Sequence, residues 1–152
     1  MRLLKTISFF LVINFGALAL GSWLMNNGPL SNWYINLNKA PWTPPGWVFG
    51  ITWSIIMICF SIYLGHLFTK SNSQKARLMF SIQLFLNIIW NFIFFNQHLI
   101  GLGLLTITLL TIVVFYFFIN FEKQQNKRVL LLPYMVWLCI ATSLNAYILL
   151  NN

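Results

Sequence analysis

An all-α integral membrane protein, a single bundle of five transmembrane helices occupying residues 1–152, is the fold class this sequence predicts. Composition is the first reason. Of the 152 residues, 59% are hydrophobic and 7% charged, against roughly 25% charged in a soluble domain. With a mean hydropathy of +0.78, there is too little polar surface to cover a soluble globule. The second reason is the five long apolar runs, each about 20 residues and so able to cross a hydrocarbon layer ~30 Å thick. The third is that these runs are continuous. Barrel strands alternate between apolar and polar residues; these segments do not.

The first run, at 3–25, follows a basic start and contains an Ala17-x-Ala19 step resembling a signal-peptide cleavage site. The apolar stretch continues through Trp23, Leu24 and Met25, so it reads as a membrane helix. Gly16 and Gly21 are small enough to admit a neighbouring helix. The segment 26–43 is a loop with a short interfacial helix expected around Leu30–Asn38. The second span, 45–68, begins at Pro44-Pro45, because proline cannot sit inside a helix but is tolerated in its first turn. A polar turn, Thr69–Lys75, leads to the third span at 76–96. Asn96-Gln97-His98 is a very short connection to the fourth span, 99–121. The charged turn Glu122–Arg128 precedes the fifth, 129–150.

Net charge is +8. Arg2, Lys5, Lys70, Lys75, Arg77, Lys123, Lys127 and Arg128 all fall on one side of the predicted topology, and Lys39 alone on the other. In a bacterial inner membrane, the positive-inside rule puts the N-terminus in the cytoplasm and the C-terminus and first loop outside. The basicity therefore follows topology, and nucleic acid is not the expected partner; the lipid bilayer is. Cys59 and Cys139 lie in apolar runs and read as small buried hydrophobes, without the spacing of a metal site.

The sequence lacks the usual parts of several chemistries. Glu122 is the only carboxylate side chain, and no carboxylate pair, nucleophilic triad or phosphate-binding glycine loop is present. His66 and His98 belong to opposite membrane faces, so they cannot jointly ligate one metal. What remains is aromatic and amide residues at helical spacing. Gln83, Asn87 and Trp90 share one face of the third span. Trp137, Ala141 and Asn145 share a face of the fifth, and Phe49, Trp53, Met57 and Phe60 a face of the second. Amides are costly in lipid and should point inward, where interhelical hydrogen bonds stabilise by about 0.6 kcal/mol each. Trp53, Trp90 and Trp137 lie well inside their spans, away from the interfacial belt where tryptophan normally sits. Rings facing amides suit a flat aromatic ligand. Trp53 should lie about 8 residues, or ~12 Å, below the outer end of its helix. Trp90 and Asn145 should share that half, with Trp137 as a floor and the first loop as a lid.

Three stretches carry a family resemblance. Trp33–Trp53, WYINLNKAPWTPPGWVFGITW, holds four of the seven tryptophans and three of the five prolines. Together with QLFLNIIWNFIFF at 83–95 and LPYMVWLCIATSLN at 132–145, it resembles the signatures of the TspO/MBR family, in the family's order. The resemblance implies a five-helix membrane protein, often dimeric, that binds protoporphyrin IX-like tetrapyrroles and hydrophobic isoquinoline- and benzodiazepine-type molecules. Matched pocket positions are Trp53, Asn87, Trp90, Trp137 and Ala141, with Pro44 and Pro45 shaping the lid; Trp42 of the first loop and Phe49, Gln83 and Asn145 of the helical faces complete the expected ligand-binding set. Three departures stand out. Thr106 occupies the place of an acidic residue, no basic residue follows Tyr147, and Asn91-Phe92 replaces a proline pair.

The expected function is binding of a porphyrin or similar ligand by a homodimer with a sensory or regulatory role. No cofactor is required and no metal is bound; porphyrin is the ligand. The competing classes are a transporter, disfavoured by the missing intramembrane charge, and a light-dependent porphyrin-degrading enzyme in which Trp53 and Trp137 act chemically.

Overall fold

A computed structural model of the chain describes residues 1–71 and 73–152, without the side chains of 122–125. Asn72, in the second connection, and the side chains of Glu122 and Lys123, used in the charge argument, lie outside the described residues. The helices are α1 (Arg2–Leu24), a short α2 (Asn32–Ile35), α3 (Gly46–Lys70), α4 (Gln74–Asn91), α5 (Ile100–Asn120) and α6 (Leu132–Asn151). Five stretches built on α1, α3, α4, α5 and α6 are long and apolar enough to cross a membrane. No strand occurs among the described residues.

α1 packs on α3 and α4, α4 on α5, α5 on α6, and α6 closes the ring against α3. One end of this ring carries the first loop and the other carries the basic connections; they are called here the loop end and the basic end. At the basic end the centre is solid aromatic packing. Phe60, Tyr63, Phe117 and Tyr134 are fully buried, and Phe60 meets Phe117 and Tyr134 edge-on at 5.8 and 5.4 Å. Tyr63 Oη donates to the Phe117 carbonyl at 3.2 Å, satisfying a hydroxyl that would be costly alone in an apolar interior.

Local chemistry sets the boundaries, and some differ from the sequence expectation. Pro45 caps α3 from outside instead of occupying its first turn. α6 begins at Leu132 with Pro133 in its first turn, because residues 122–131 are wound as a 3-10 helix. α4 does not run unbroken to 96. It ends at Asn91 and widens into a π turn, Phe92–Asn96, closed by Gln97 N–H to the Phe92 carbonyl at 3.0 Å. The wider turn lets Phe94 and Phe95 both face inward. It also places Asn96, whose Nδ2 donates to the Leu24 carbonyl at the end of α1 at 3.0 Å.

Small residues are used unequally. A Cβ at Gly103 would stand 2.9 Å from the Phe94 ring, and one at Gly21 would stand 2.8 Å from the Asn91 amide. Both glycines therefore serve packing within the chain. Gly16 has open space instead. Cys139, expected to be buried, is exposed on the outer face of α6, and Cys59 is half-buried; both are free thiols.

The first loop is fastened down. Ser31 caps α2 by accepting from Tyr34 N–H. Lys39 Nζ donates to the carbonyls of Tyr34, Ile35 and Leu37 at 2.9, 2.8 and 3.3 Å, neutralising the carbonyl end of that helix. Asn38 exchanges hydrogen bonds with Asn151 and Asn152 at the chain's end. Trp33 stacks on His98, centroids 4.1 Å apart, and His98 itself takes the left-handed backbone conformation, φ 57°.

Candidate functional site

A cavity of about 340 Å³ lies at the loop end, enclosed by α1, α3 and the last turns of α4. Ligand sites in proteins run roughly from 300 to 1,000 Å³, so this one is large enough to be functional and at the small end of that range. Its aromatic wall is Phe49, Trp53, Trp90 and Phe95; α1 contributes Ala17, Leu18, Ser22 and Met25. α3 and α4 supply Ser54, Asn87 and Asn91 as polar lining.

The polar groups are unevenly satisfied. Ser54 Oγ donates to the Gly50 carbonyl at 2.9 Å. Asn91 Nδ2 donates to the Asn87 carbonyl at 3.1 Å. Trp90 is 8% exposed, and its Nε1–H has no hydrogen-bond partner. A buried donor without an acceptor costs about 1–3 kcal/mol, so Trp90 Nε1 is held here at a cost in stability. None of the lining residues is charged. Beyond the membrane-spanning segments, burial against the π turn pushes the Tyr34 phenol pKa up, which keeps it neutral.

Of the residues singled out from sequence, Phe49, Trp53, Asn87 and Trp90 come together around this cavity. The others do not line it, for separate reasons. Trp137 was expected as the floor, but the Phe49 ring stands against it edge-on at 5.1 Å. Its outer edge borders a shallow groove between α3 and α6 instead. Gln83 lies deeper, with Nε2 donating to Tyr134 Oη at 2.8 Å. Asn145 turns back on its own helix, donating to the Ala141 carbonyl at 2.9 Å; Ala141 is buried beside it. α6 lies across the ring from α1, so its inward face is screened from the cavity by α3. Trp42 donates through Nε1 to Ser143 Oγ at 3.2 Å and packs edge-on against Tyr147 at 5.4 Å. It therefore covers α6. Pro44 and Pro45 fix the start of α3 without reaching the cavity.

Sequence reasoning missed the whole contribution of α1. Leu18, Ser22 and Met25 fall at i, i+4 and i+7, a helical stripe that could have been read as a face. It also missed Asn14, buried mid-span, whose Nδ2 donates to Ser61 Oγ at 2.8 Å and ties α1 to α3. The signal was available, because an amide inside a span needs a partner. Asn91 and Phe95 extend the Asn87 face by one and two turns. No group of three or more His, Cys, Asp or Glu residues that could hold a metal is found among the described residues.

Comparison with known proteins agrees with this architecture. A family model described as the TspO/MBR family matches residues 9–150. A tryptophan-rich protein TspO of Archaeoglobus fulgidus is 31% identical over 125 residues, covering 81% of this chain and 82% of its own. A tryptophan-rich sensory protein of Cereibacter sphaeroides is 30% identical, covering 74% of this chain and 72% of its own. The translocator protein of Homo sapiens is also 30% identical, over 79% of this chain and 75% of its own.

Proposed function

The chain belongs to the TspO/MBR family, and from that premise we propose that it binds a flat hydrophobic ligand of the porphyrin class in the cavity between α1, α3 and α4. Its role in this reading is sensory or regulatory, in a tetrapyrrole or stress response. The observation that carries the reading is the wall of aromatic rings, Phe49, Trp53, Trp90 and Phe95, with the Asn87 and Asn91 side chains in the same lining. A ring stacked on Trp53 or Phe95 gains dispersion and quadrupole energy, and an acceptor on its edge satisfies Trp90. The uncharged lining rules out burying a carboxylate there. A porphyrin's acidic side chains would stay at the Gly46 end of the opening, level with the interfacial Trp47, with one edge of the macrocycle inserted.

The same reading places the protein in a bacterial inner membrane, N-terminus in the cytoplasm, as a homodimer in which the open Gly16 face is available for contact. A relative's name, translocator protein, keeps ligand transport as the alternative. The position of Trp53 on the cavity wall favours a further reading, light-dependent porphyrin degradation, since an excited porphyrin would stack against an oxidisable indole.

Titration of the purified protein with protoporphyrin IX tests the proposal. Saturable tryptophan quenching in the dark is expected, weakened about tenfold in Trp53→Phe, equivalent to about 1.4 kcal/mol. Absence of saturable quenching in the wild type overturns it. Loss of the porphyrin absorbance bands under illumination, in the wild type but not in Trp53→Phe, would establish degradation in place of a purely sensory role. Flux of ligand across sealed vesicles would establish transport.

A further inference from the structure

The cavity is open on one flank, and that flank faces the bilayer. Four of its lining residues, Ser22 on α1, Pro29 in the first loop, and Gly46 and Gly50 on α3, are exposed. A Cβ built on Gly46 or Gly50 meets nothing within 4 Å. Glycines in membrane helices usually admit a neighbouring helix; here no neighbour approaches. Bare backbone borders the opening instead. Gly50 is one turn inside Gly46 and Ser54 one turn further, so the gap extends down α3 for about 12 Å at 1.5 Å per residue. Trp23 and Trp47, 73% and 69% exposed, mark the interface on its two sides.

The first loop contributes Pro29 to the lining, and no residue from Trp33 to Thr43 reaches it. That stretch is held by Trp33 on His98, Trp42 on Ser143, and Asn38 on the chain's end. Inside, the Trp53, Trp90 and Phe95 rings give an entering molecule aromatic surface to pack on.

We propose that the cavity is loaded sideways from the loop-side leaflet, through a glycine-bordered portal between α1 and α3, by uncharged molecules already dissolved in the bilayer. The inference rests on the cavity being the ligand site. It goes further in assigning the route, with the lining residue Gly50 at its edge. A charged group would have to cross hydrocarbon to use this route, which selects against it.

The test uses the full chain in phosphatidylcholine vesicles, with protoporphyrin IX dimethyl ester, a neutral probe, supplied through the membrane. Gly50→Leu has room for its side chain and favours helix over glycine, so it should fold and plug the gap. Slowing of tryptophan quenching tenfold or more in Gly50→Leu is expected, with no change in the loop-loosening pair Asn38→Ala and Trp42→Phe. An unchanged rate in Gly50→Leu, or acceleration in the loop pair alone, overturns the portal. A second measurement needs no ligand. In bilayers of brominated phosphatidylcholine, the share of quenching due to Trp53, taken by difference from Trp53→Phe, should fall in Gly50→Leu. If that share is zero in the wild type, or the same in Gly50→Leu, the portal is wrong even where the ester binds. If the ester fails to bind but the share falls, the portal stands and the ligand reading fails.

Discussion

The two ends of the bundle differ in how completely they are filled. At the basic end, Phe60, Tyr63, Phe117 and Tyr134 interlock without exposed surface, and the Tyr63 hydroxyl and the Gln83 amide nitrogen have partners on neighbouring helices. At the loop end, aromatic residues of the same kind enclose about 340 Å³ of space, and the Trp90 donor is left unpaired. The chemistry of the residues is alike. What differs is whether a facing helix fills the gap. Close packing stabilises one end; the other forgoes that packing energy and gains a place for a ligand.

Four substitutions probe this contrast, in order of expected effect. Phe60→Ala removes a fully buried ring from the filled end and should destabilise the fold by about 3–5 kcal/mol, read from denaturant unfolding in detergent micelles. A loss no greater than that of Trp53→Phe would erase the distinction between the ends. Gly103→Ala drives a methyl against Phe94 and should cost about 1–3 kcal/mol, whereas Gly16→Ala has open space and should be neutral or slightly stabilising in the same assay. Equal costs would mean that the packing around the π turn is looser than described. Trp90→Phe deletes an unpaired donor from the cavity, so melting temperature should hold or rise slightly. Affinity for protoporphyrin IX should nevertheless drop roughly five- to tenfold, in line with about 1 kcal/mol for one hydrogen bond. A lower melting temperature with unchanged affinity would place Trp90 with the filled end.

How far the sequence could be read depends on the range of the interaction concerned. The spans were legible because each needs only its own run of apolar residues. The inward placement of Gln83, Asn87 and Asn145 was legible because an amide in lipid is costly wherever it sits. Their roles diverged for reasons no spacing reveals. Gln83 found Tyr134 across the bundle, Asn145 found its own helix, and Asn87 was left facing a void. The π turn after Asn91 was foreshadowed only by the missing proline pair. Its effect, turning both Phe94 and Phe95 inward, needed the backbone itself.

By itself, then, the sequence determined the class of the protein, the number and approximate extent of its membrane helices, and the three motifs that mark its family. These follow from local hydrophobicity and residue identity, which are written along the chain. Only the tertiary structure decided which helices adjoin. That placed the cavity against α1 and not α6, put Phe49 between it and Trp137, and left Gly46 and Gly50 exposed with open space beside them. A cavity is a shortfall in packing among three helices distant in sequence, and no single helix encodes the absence of its neighbour.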